Sequence, residues 1–345
     1  MKTGRTQNAR ADERGEFAAP TLENVARVAG VSTATISRAL NSPQVVTPET
    51  RERVQRAIES TGYVPNLLAG GLAAKRSRLV AALVPGIATS FFNATIEAIS
   101  RALASAGYLV VLGLTGYESE GADATITSLL SRRPDALILT SAPADARTRA
   151  RLRRAHLTVI ETWDLPRKPL DVAIGFSHWD AGRALADFVV ERGFGRPLVI
   201  THGLSRGRAR MEGFLERCRE LRVRAPSCDV CVTAPFSIDG RERLGRFLDQ
   251  GGRADVVLCS SDLIAQGVLA EAARRGLSCP GDLAVVGFGN TESSALTVPA
   301  LTTVRIDGTA IGERAAEVLL RRSRGQQPAT RRIDIGFEII ARESA

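Results

Sequence analysis

Histidine appears three times in 345 residues, tryptophan and methionine twice each, and cysteine five times. His156, His178 and His202 share no metal-ligand spacing. Cys228 and Cys231 form one C-x-x-C, but no second pair follows at zinc-ribbon distance, so the thiols read as reduced and inert rather than as metal ligands or a redox pair. No apolar run approaches the roughly 20 residues that span a bilayer. Met1 to Pro20 is polar, lacks the apolar centre of a signal peptide, and has the composition of a disordered tail. There is no G-x-G-x-x-G after the first strand-like run, no Walker loop and no G-x-S-x-G elbow. These absences argue against a membrane or exported protein and against an enzyme. They fit a cytoplasmic protein needing no cofactor and no metal.

Positive charge is present, and it is unevenly placed. The chain holds 46 Lys and Arg against 37 Asp and Glu, a net +9. Residues 1–78 carry 12 basic against 7 acidic residues, a net +5; the rest, more than three times as long, carry 34 against 30, a net +4. An excess concentrated at one end suits attraction to phosphates. The length itself implies two or three domains.

The concentrated charge coincides with a helix-turn-helix pattern over residues 22–41. Leu22, Val25, Ala26 and Ala29 give the first helix one apolar face. Gly30 and Val31 supply a tight turn, and Ser32 is a good N-cap for the second helix. Ile36, Ala39 and Leu40 return to the core, leaving Thr33, Ala34, Thr35, Ser37 and Arg38 to face a groove. An ordinary helical hairpin is the alternative, but turn, cap and core positions agree with one another. A third helix opens at Thr47-Pro48-Glu49-Thr50, turns Val54, Ala57 and Ile58 inward, and ends at Gly62. Leu67 to Lys75 reads as a short conditional helix, because Gly70-Gly71 and its length both disfavour an isolated one.

From Leu79 the texture changes. Apolar runs at Leu79–Val84, Leu109–Gly113, Ala136–Leu139, Thr158–Ile160, Val172–Ile174, Pro197–Thr201, Val256–Cys259 and Leu283–Phe288 alternate with amphipathic stretches at Phe92–Ala106, Trp179–Arg192, Arg208–Leu221 and Leu263–Arg275. Near-continuous apolar strands followed by helices predict an α/β domain of parallel sheets covered on both faces. A ligand site is expected beyond the carboxyl ends of the strands, in a cleft if there are two lobes. Arg332 to Ile340 reads as a last strand, with no leucine heptad helix after it.

Thr21-Leu22-x-x-Val25-Ala26, Gly30-Val31-Ser32, Thr35-Ile36-Ser37-Arg38, Tyr63-x-Pro65-Asn66 and Leu72-Ala73 resemble the lactose-repressor/galactose-repressor family of bacterial transcription regulators. Asp262, Gly267, Val285-Val286-Gly287-Phe288 and Pro299-x-Leu301-Thr302-Thr303-Val304 resemble its effector-binding core. The resemblance implies a disordered tail over 1–20, a headpiece over 21–63, a hinge over 64–78, and a two-lobed periplasmic-binding-protein-like domain over 79–345. Its first lobe would hold about 79–175 and 303–326, its second about 176–302 and 327–341.

The same resemblance implies a homodimer reading double-stranded, near-palindromic operator DNA. Thr33, Ala34 and Arg38 match the base-reading positions, although Arg38 touching only phosphate is the alternative. Thr21, Ser32, Thr35, Ser37, Asn41, Tyr63 and Asn66 complete the expected contacts, with Leu72 as a minor-groove wedge between the close-packing Ala69 and Ala73. Gly86, Phe91, Phe92, Glu161, Trp163, Arg210, Phe236, Ser261, Asp262, Gly289 and Asn290 fall where the family lines its cleft.

Sugar binders of the family usually carry an Asp where Gly289 stands here. Keeping Arg210 while losing that carboxylate shifts the expected ligand from a neutral sugar toward an anion. Glu161 and Asp171-Val172-Ala173-Ile174-Gly175-Phe176 are similar to gluconate-operon repressors, so the expected effector is a sugar acid such as gluconate or 2-ketogluconate. The lesser alternative is that Arg210 is an ordinary surface arginine and that Phe91 and Phe92 are simply core. Other readings are a neutral sugar or nucleoside effector, or a transport-associated sugar-binding protein. Whether the effector releases or tightens the operator is open.

Overall fold

The computed structural model describes residues 19–65, 77–87, 90–116, 122–140, 145–203, 205–223, 226–231 and 236–345. The chain divides into two compact units, Met1–Ser77 and Arg78–Ala345. The expected tail (but for its last two residues, Ala19 and Pro20), and the expected hinge helix with Asn66, Ala69, Leu72 and Ala73, lie outside the described residues.

The first unit is built on α1 (Leu22–Ala29), α2 (Thr33–Asn41) and α3 (Pro48–Thr61). Its apolar spacing becomes a small core of Val25, Ala26, Ala29, Ile36, Ala39, Val54 and Ala57. Each helix start is satisfied locally: Thr21, Ser32 and Thr47 accept from the backbone N–H three residues on. Gly30 ends α1 at φ 63°, a left-handed conformation that costs glycine least. Arg53 on α3 donates to the carbonyls of Ala29 and Gly30 at 2.6 and 3.2 Å, capping α1 from a neighbouring helix.

The second unit contains two six-stranded sheets. In chain order its elements are β1 (Leu79–Val84), α4 (Asn93–Ala104), β2 (Leu109–Leu114), α5 (Ala122–Leu130), β3 (Ala136–Leu139), α6 (Ala146–Arg154), β4 (Thr158–Thr162) and β5 (Val172–Gly175). Next come α7 (His178–Glu191), β6 (Pro197–His202), α8 (Ser205–Glu220), β7 (Ser227–Cys231), α9 (Ser237–Asp249), β8 (Val256–Cys259) and α10 (Asp262–Arg274). The last are β9 (Ala284–Gly289), β10 (Thr302–Arg305), α11 (Gly308–Ser323), β11 (Arg332–Asp334) and β12 (Glu338–Ile340).

The first sheet has the order β11-β5-β4-β3-β1-β2, all parallel; the second has β12-β10-β9-β8-β6-β7, with β12 antiparallel to β10. Successive strand residues point to opposite faces. Val80, Ala82, Ile138, Ile160 and Ile174 therefore meet Ile99, Leu103 and Ile311 on one side, while Ala81, Leu83, Leu137 and Val159 meet Ile126, Leu129 and Leu152 on the other. In the second sheet, Leu198, Ile200, Val257 and Val285 pack with Leu244, Ile264 and Val268. A fully buried side chain of this size contributes about 1.5–3 kcal/mol, which is why apolar residues run unbroken along these strands.

Two expectations at the lobe boundaries are corrected. Residues 303–305 were expected in the first lobe, but β10 pairs with β9, so the chain crosses back only after Arg305. Arg332 to Ile340 is two strands in different sheets, so 327–334 belongs to the first lobe rather than the second. The break is local: Gly336 stands at φ 73° and its N–H donates to Asp334 Oδ1 at 2.9 Å, forming a turn that stops the strand. Three connections thus join the sheets, at 175–178, 305–308 and 334–338.

Candidate DNA-reading helix and effector cleft

On α2, Thr33, Ala34, Ser37, Arg38 and Asn41 are exposed while Ile36 and Ala39 are buried. Spacings of one and four place those five side chains on one surface. Arg38 Nε donates to Ala34 O at 3.3 Å and Asn41 Nδ2 to Ser37 O at 2.9 Å, so both polar heads lie along the exposed side of the helix. Ser32 and Thr35 have a structural task as well: Ser32 Oγ caps Thr35 N and contacts Thr35 Oγ1 at 3.0 Å. Thr21 is likewise engaged with Asn24, and half-buried Tyr63 packs on the headpiece core rather than standing free.

The second unit gathers its chemistry at the carboxyl ends of the strands. Phe91 and Phe92 lie beyond β1, Trp163 and Asp164 beyond β4, Phe176 and His178 beyond β5, His202 ends β6, and Phe288 and Gly289 end β9. The rings form a continuous wall: Phe91 is 4.4 Å from Trp163, 5.2 Å from Phe92 and 6.4 Å from Phe288, and Phe288 is 6.0 Å from Phe176. Trp163 Nε1 donates to Thr95 Oγ1 at 2.9 Å, which fixes its indole.

Arg210, on α8, is buried and stacks its guanidinium carbon 3.7 Å from the Phe288 ring centroid. It donates to Ser260 O at 3.0 Å and points another nitrogen at His178 Nδ1, 3.3 Å away. His178 Nε2 lies 2.8 Å from the Trp163 carbonyl, so the proton sits on Nε2 and Nδ1 accepts. Burial first, then the neighbouring Arg210 and Arg206, hold His178 well below the ordinary histidine value and push His202 down to about 3. Both rings are therefore neutral at pH 7.

Arg206, one helical turn before Arg210, places its guanidinium carbon 5.4 Å from the Phe92 ring centroid. Burial lowers both arginines, Arg206 to about 10 and Arg210 to about 9, so both stay charged at neutral pH. Asp164 acts on Arg206, but burial and Arg206 itself are what act on Arg210. Among the described residues, Arg210 is a buried cation bonded only to neutral groups. His202 Nδ1 and Ser260 Oγ are also buried without a hydrogen-bond partner among the described residues. The cleft thus presents an uncompensated positive charge, polar atoms awaiting partners and an aromatic wall.

Not every expected cleft residue joins this group. Asp262 is buried and saturated, Oδ1 accepting from Thr303 Oγ1 at 2.6 Å and Oδ2 from Thr291 N and Ser294 Oγ at 2.7 and 2.6 Å. Its carboxylate ties the start of α10 to β10 and to the turn that follows β9. Glu161 shares a strand face with Val159, on the α6 side, and accepts from Leu170 N at 2.5 Å; it faces away from the cleft. Asn290 Oδ1 is taken by Arg342 at 2.6 Å. Ser261 caps α10 through Ile264 N, Phe236 is exposed before α9, and Gly86 is half-buried after β1.

Gly289 stands at φ 128°, and a Cβ there would lie 2.9 Å from the Phe91 ring. The site with Phe91 in place has no room for a side chain at 289. Arg210 is not a surface arginine, and Phe91 and Phe92 are wall as well as core. His178, His202, Arg206, Ser260, Phe176 and Phe288 went unassigned from sequence. The visible signals were the four-residue spacing of Arg206 and Arg210 on one helix and the place of each histidine just past, or at the end of, a strand.

With this geometry in hand, the chain can be set beside known proteins. Residues 21–66 match the model for bacterial regulatory proteins of the lacI family, and residues 186–345 that for a periplasmic binding protein-like domain. The HTH-type transcriptional regulator GntR of Pseudomonas aeruginosa is 36% identical over 327 residues, covering 94% of this chain and 95% of that protein. A LacI-family transcriptional regulator from Silicibacter pomeroyi superposes with a TM-score of 0.88 at 30% identity, covering 94% of this chain and 99% of that one. The lac repressor dimer bound to operator and the anti-inducer ONPF gives a TM-score of 0.81 at 26% identity, covering 95% and 99%.

Proposed function

The chain belongs to the LacI family of bacterial regulatory proteins, making it a DNA-binding transcriptional regulator and not an enzyme, and from that premise we propose a cytoplasmic, homodimeric repressor of carbohydrate-catabolism genes whose effector is a sugar acid of the gluconate type. The observation that carries the effector class is Arg210, a buried guanidinium whose hydrogen-bond partners among the described residues are neutral. Burying a charge unpaired is expensive, and a ligand carboxylate would supply the missing partner in a charge-assisted bond. The hydroxyls of a polyhydroxy acid suit His202 Nδ1 and Ser260 Oγ, and its C–H face suits the Phe91–Trp163–Phe288 wall. The name GntR borne by the Pseudomonas aeruginosa relative agrees with a gluconate-type ligand.

In this reading α2 enters the major groove of a near-palindromic operator, with Thr33, Ala34 and Arg38 reading bases and Leu72 wedging the minor groove. Ligand held between Arg210 of one lobe and the Phe91–Trp163 wall of the other changes the balance between two arrangements of the lobes. Such coupling between ligand and operator amounts to about 1–3 kcal/mol and acts in both directions. Exposed apolar side chains support the dimer: Leu109, Leu112 and Leu114 on the edge strand β2, and Leu296 and Val298 before β10. Among the described residues no helix is long and apolar enough to cross a membrane.

The test is fluorescence anisotropy on the DNA upstream of the protein's own gene, at fixed salt, with and without gluconate and 2-ketogluconate. One sugar acid is expected to shift operator affinity about 5- to 150-fold, and Arg210→Met to abolish that shift while leaving ligand-free DNA affinity unchanged. A full response in Arg210→Met, or a response to a neutral sugar alone, overturns the sugar-acid reading.

A further inference from the structure

The amino ends of the first sheet hold a second cationic cavity of about 550 Å³, at the opposite end of the strands from the effector cleft. Arg153, His156, Thr158, Asp171, Arg322 and Arg331 line it. Thr158 begins β4, Asp171 precedes β5 and Arg331 precedes β11, so three adjacent parallel strands present their starts to one space. Strands of this length separate cavity and cleft by roughly 15 Å. A ligand in one does not touch the other.

The charge of the cavity is unbalanced. Among the described residues Asp171 is the single carboxylate in its lining, and it is already committed: Arg322 Nη2 donates to Asp171 Oδ1 at 2.8 Å, Arg322 Nη1 pairs with Oδ2, and Val159 N donates to Oδ2 at 3.1 Å. That leaves Arg153 and Arg331, both exposed residues at the rim, with no carboxylate bonded to them among the described residues; Glu161 acts on Arg153 only through space. Arg322 Nε is buried and has no hydrogen-bond partner among the described residues. Surplus guanidiniums around a space within the about 300–1,000 Å³ of small-molecule sites fit an oxyanion with several acceptor oxygens.

We propose that this cavity binds a phosphate-bearing small molecule, its phosphate held by Arg153 and Arg331 at the rim with Arg322 Nε donating from below. The proposal is independent of the effector assignment. It also has a route to matter: the Arg331 carbonyl accepts from Ala173 N at 2.8 Å, and β11 continues through Phe337, packed 6.2 Å from Phe176, into the second sheet. A ligand at the start of β11 and β5 bears on two segments that join the sheets.

The experiment is calorimetric titration of the full-length protein with inorganic phosphate at constant ionic strength. Wild type is expected to bind saturably, Arg153→Ala/Arg331→Ala to bind at least about tenfold more weakly, and Arg210→Ala to bind as wild type does. Thermal melts check that both variants fold, as the exposure of residues 153 and 331 favours. No saturable binding by wild type, undiminished binding by the double variant, or loss in Arg210→Ala overturns the proposal, the last by placing phosphate in the cleft. Repeating the titration with operator DNA saturating separates sources: retained binding supports a free small anion, and displacement assigns the cavity to nucleic-acid phosphate and rejects it.

Discussion

In the headpiece, the surface proposed for DNA comes from five side chains within nine consecutive residues of α2. In the proposed effector cleft, Phe91, Trp163, His178, His202, Arg210, Ser260 and Phe288 come from segments spread over nearly two hundred residues. The headpiece keeps its polar heads exposed, and each of its helix N-caps closes within three residues. The cleft buries two guanidiniums and two neutral imidazoles against a wall of rings. A surface for a large polyanion needs many weak, solvated contacts; a pocket for a small molecule needs a few desolvated ones that ligand alone completes.

The largest expected effect tests whether the two regions are separable. Ile36 is fully buried in a headpiece core of seven buried residues, so Ile36→Ala should cost about 2–5 kcal/mol there. Operator binding should fall at least about a hundredfold, the headpiece helices should melt at lower temperature by circular dichroism, and calorimetric binding of the sugar acid should stay unchanged. Loss of ligand binding in this variant would break the comparison, because the cleft would then depend on the headpiece.

Legibility in the sequence follows the same division. Helix periodicity, caps and the turn at Gly30 depend on residues three or four apart, and each expected headpiece element is present. Most strands were readable too, because buried parallel strands are apolar throughout. β7, β10 and the β11–β12 break were not: Ser227–Cys231 and Thr302–Arg305 mix polar residues into short strands, and Asp334–Gly336 turns the chain where apolar residues continue on both sides. Asp262 was misassigned because its saturation by Thr291, Ser294 and Thr303 depends on residues up to 41 positions away. Glu161 was misassigned by one strand face, which only register decides.

A smaller effect probes how the cleft is held. Gly182 on α7 faces α8 so closely that a Cβ would stand 2.0 Å from the Arg210 carbonyl oxygen and 2.9 Å from Phe214 N, both backbone atoms that cannot swing aside. Gly182→Ala must push α8, and Arg210 with it, at about 1–3 kcal/mol of overpacking. Sugar-acid affinity should drop about tenfold or more while ligand-free operator affinity holds. Unchanged ligand affinity would mean that Arg210 is positioned by Ser260 and Phe288 rather than by helix packing.

The smallest effect comes from protons, and it too should separate the regions. All three histidines lie in the second unit, and His202 is held at about 3 by burial and by Arg210 and Arg206. Below the ordinary value near 6.5 the unfolded chain takes up a proton that the folded chain refuses. The stability present above about pH 6.5 is therefore lost as pH falls toward 3, by about 1 kcal/mol between about pH 6.5 and about pH 5.5 for His202. His178 acts with the same sign; Glu161 and Asp164, raised by burial, act with the opposite sign, so wild type alone is not diagnostic. Denaturant melts of wild type and His202→Gln between about pH 7 and about pH 5.5 isolate the one group. Wild type should lose about 1.2 kcal/mol more than the variant in the second unit's transition, and nothing in the headpiece's. Parallel curves would mean that His202 is wetter than its surroundings imply, and the contrast between a dry cleft and a solvated headpiece would have to rest on Arg210 and His178 alone.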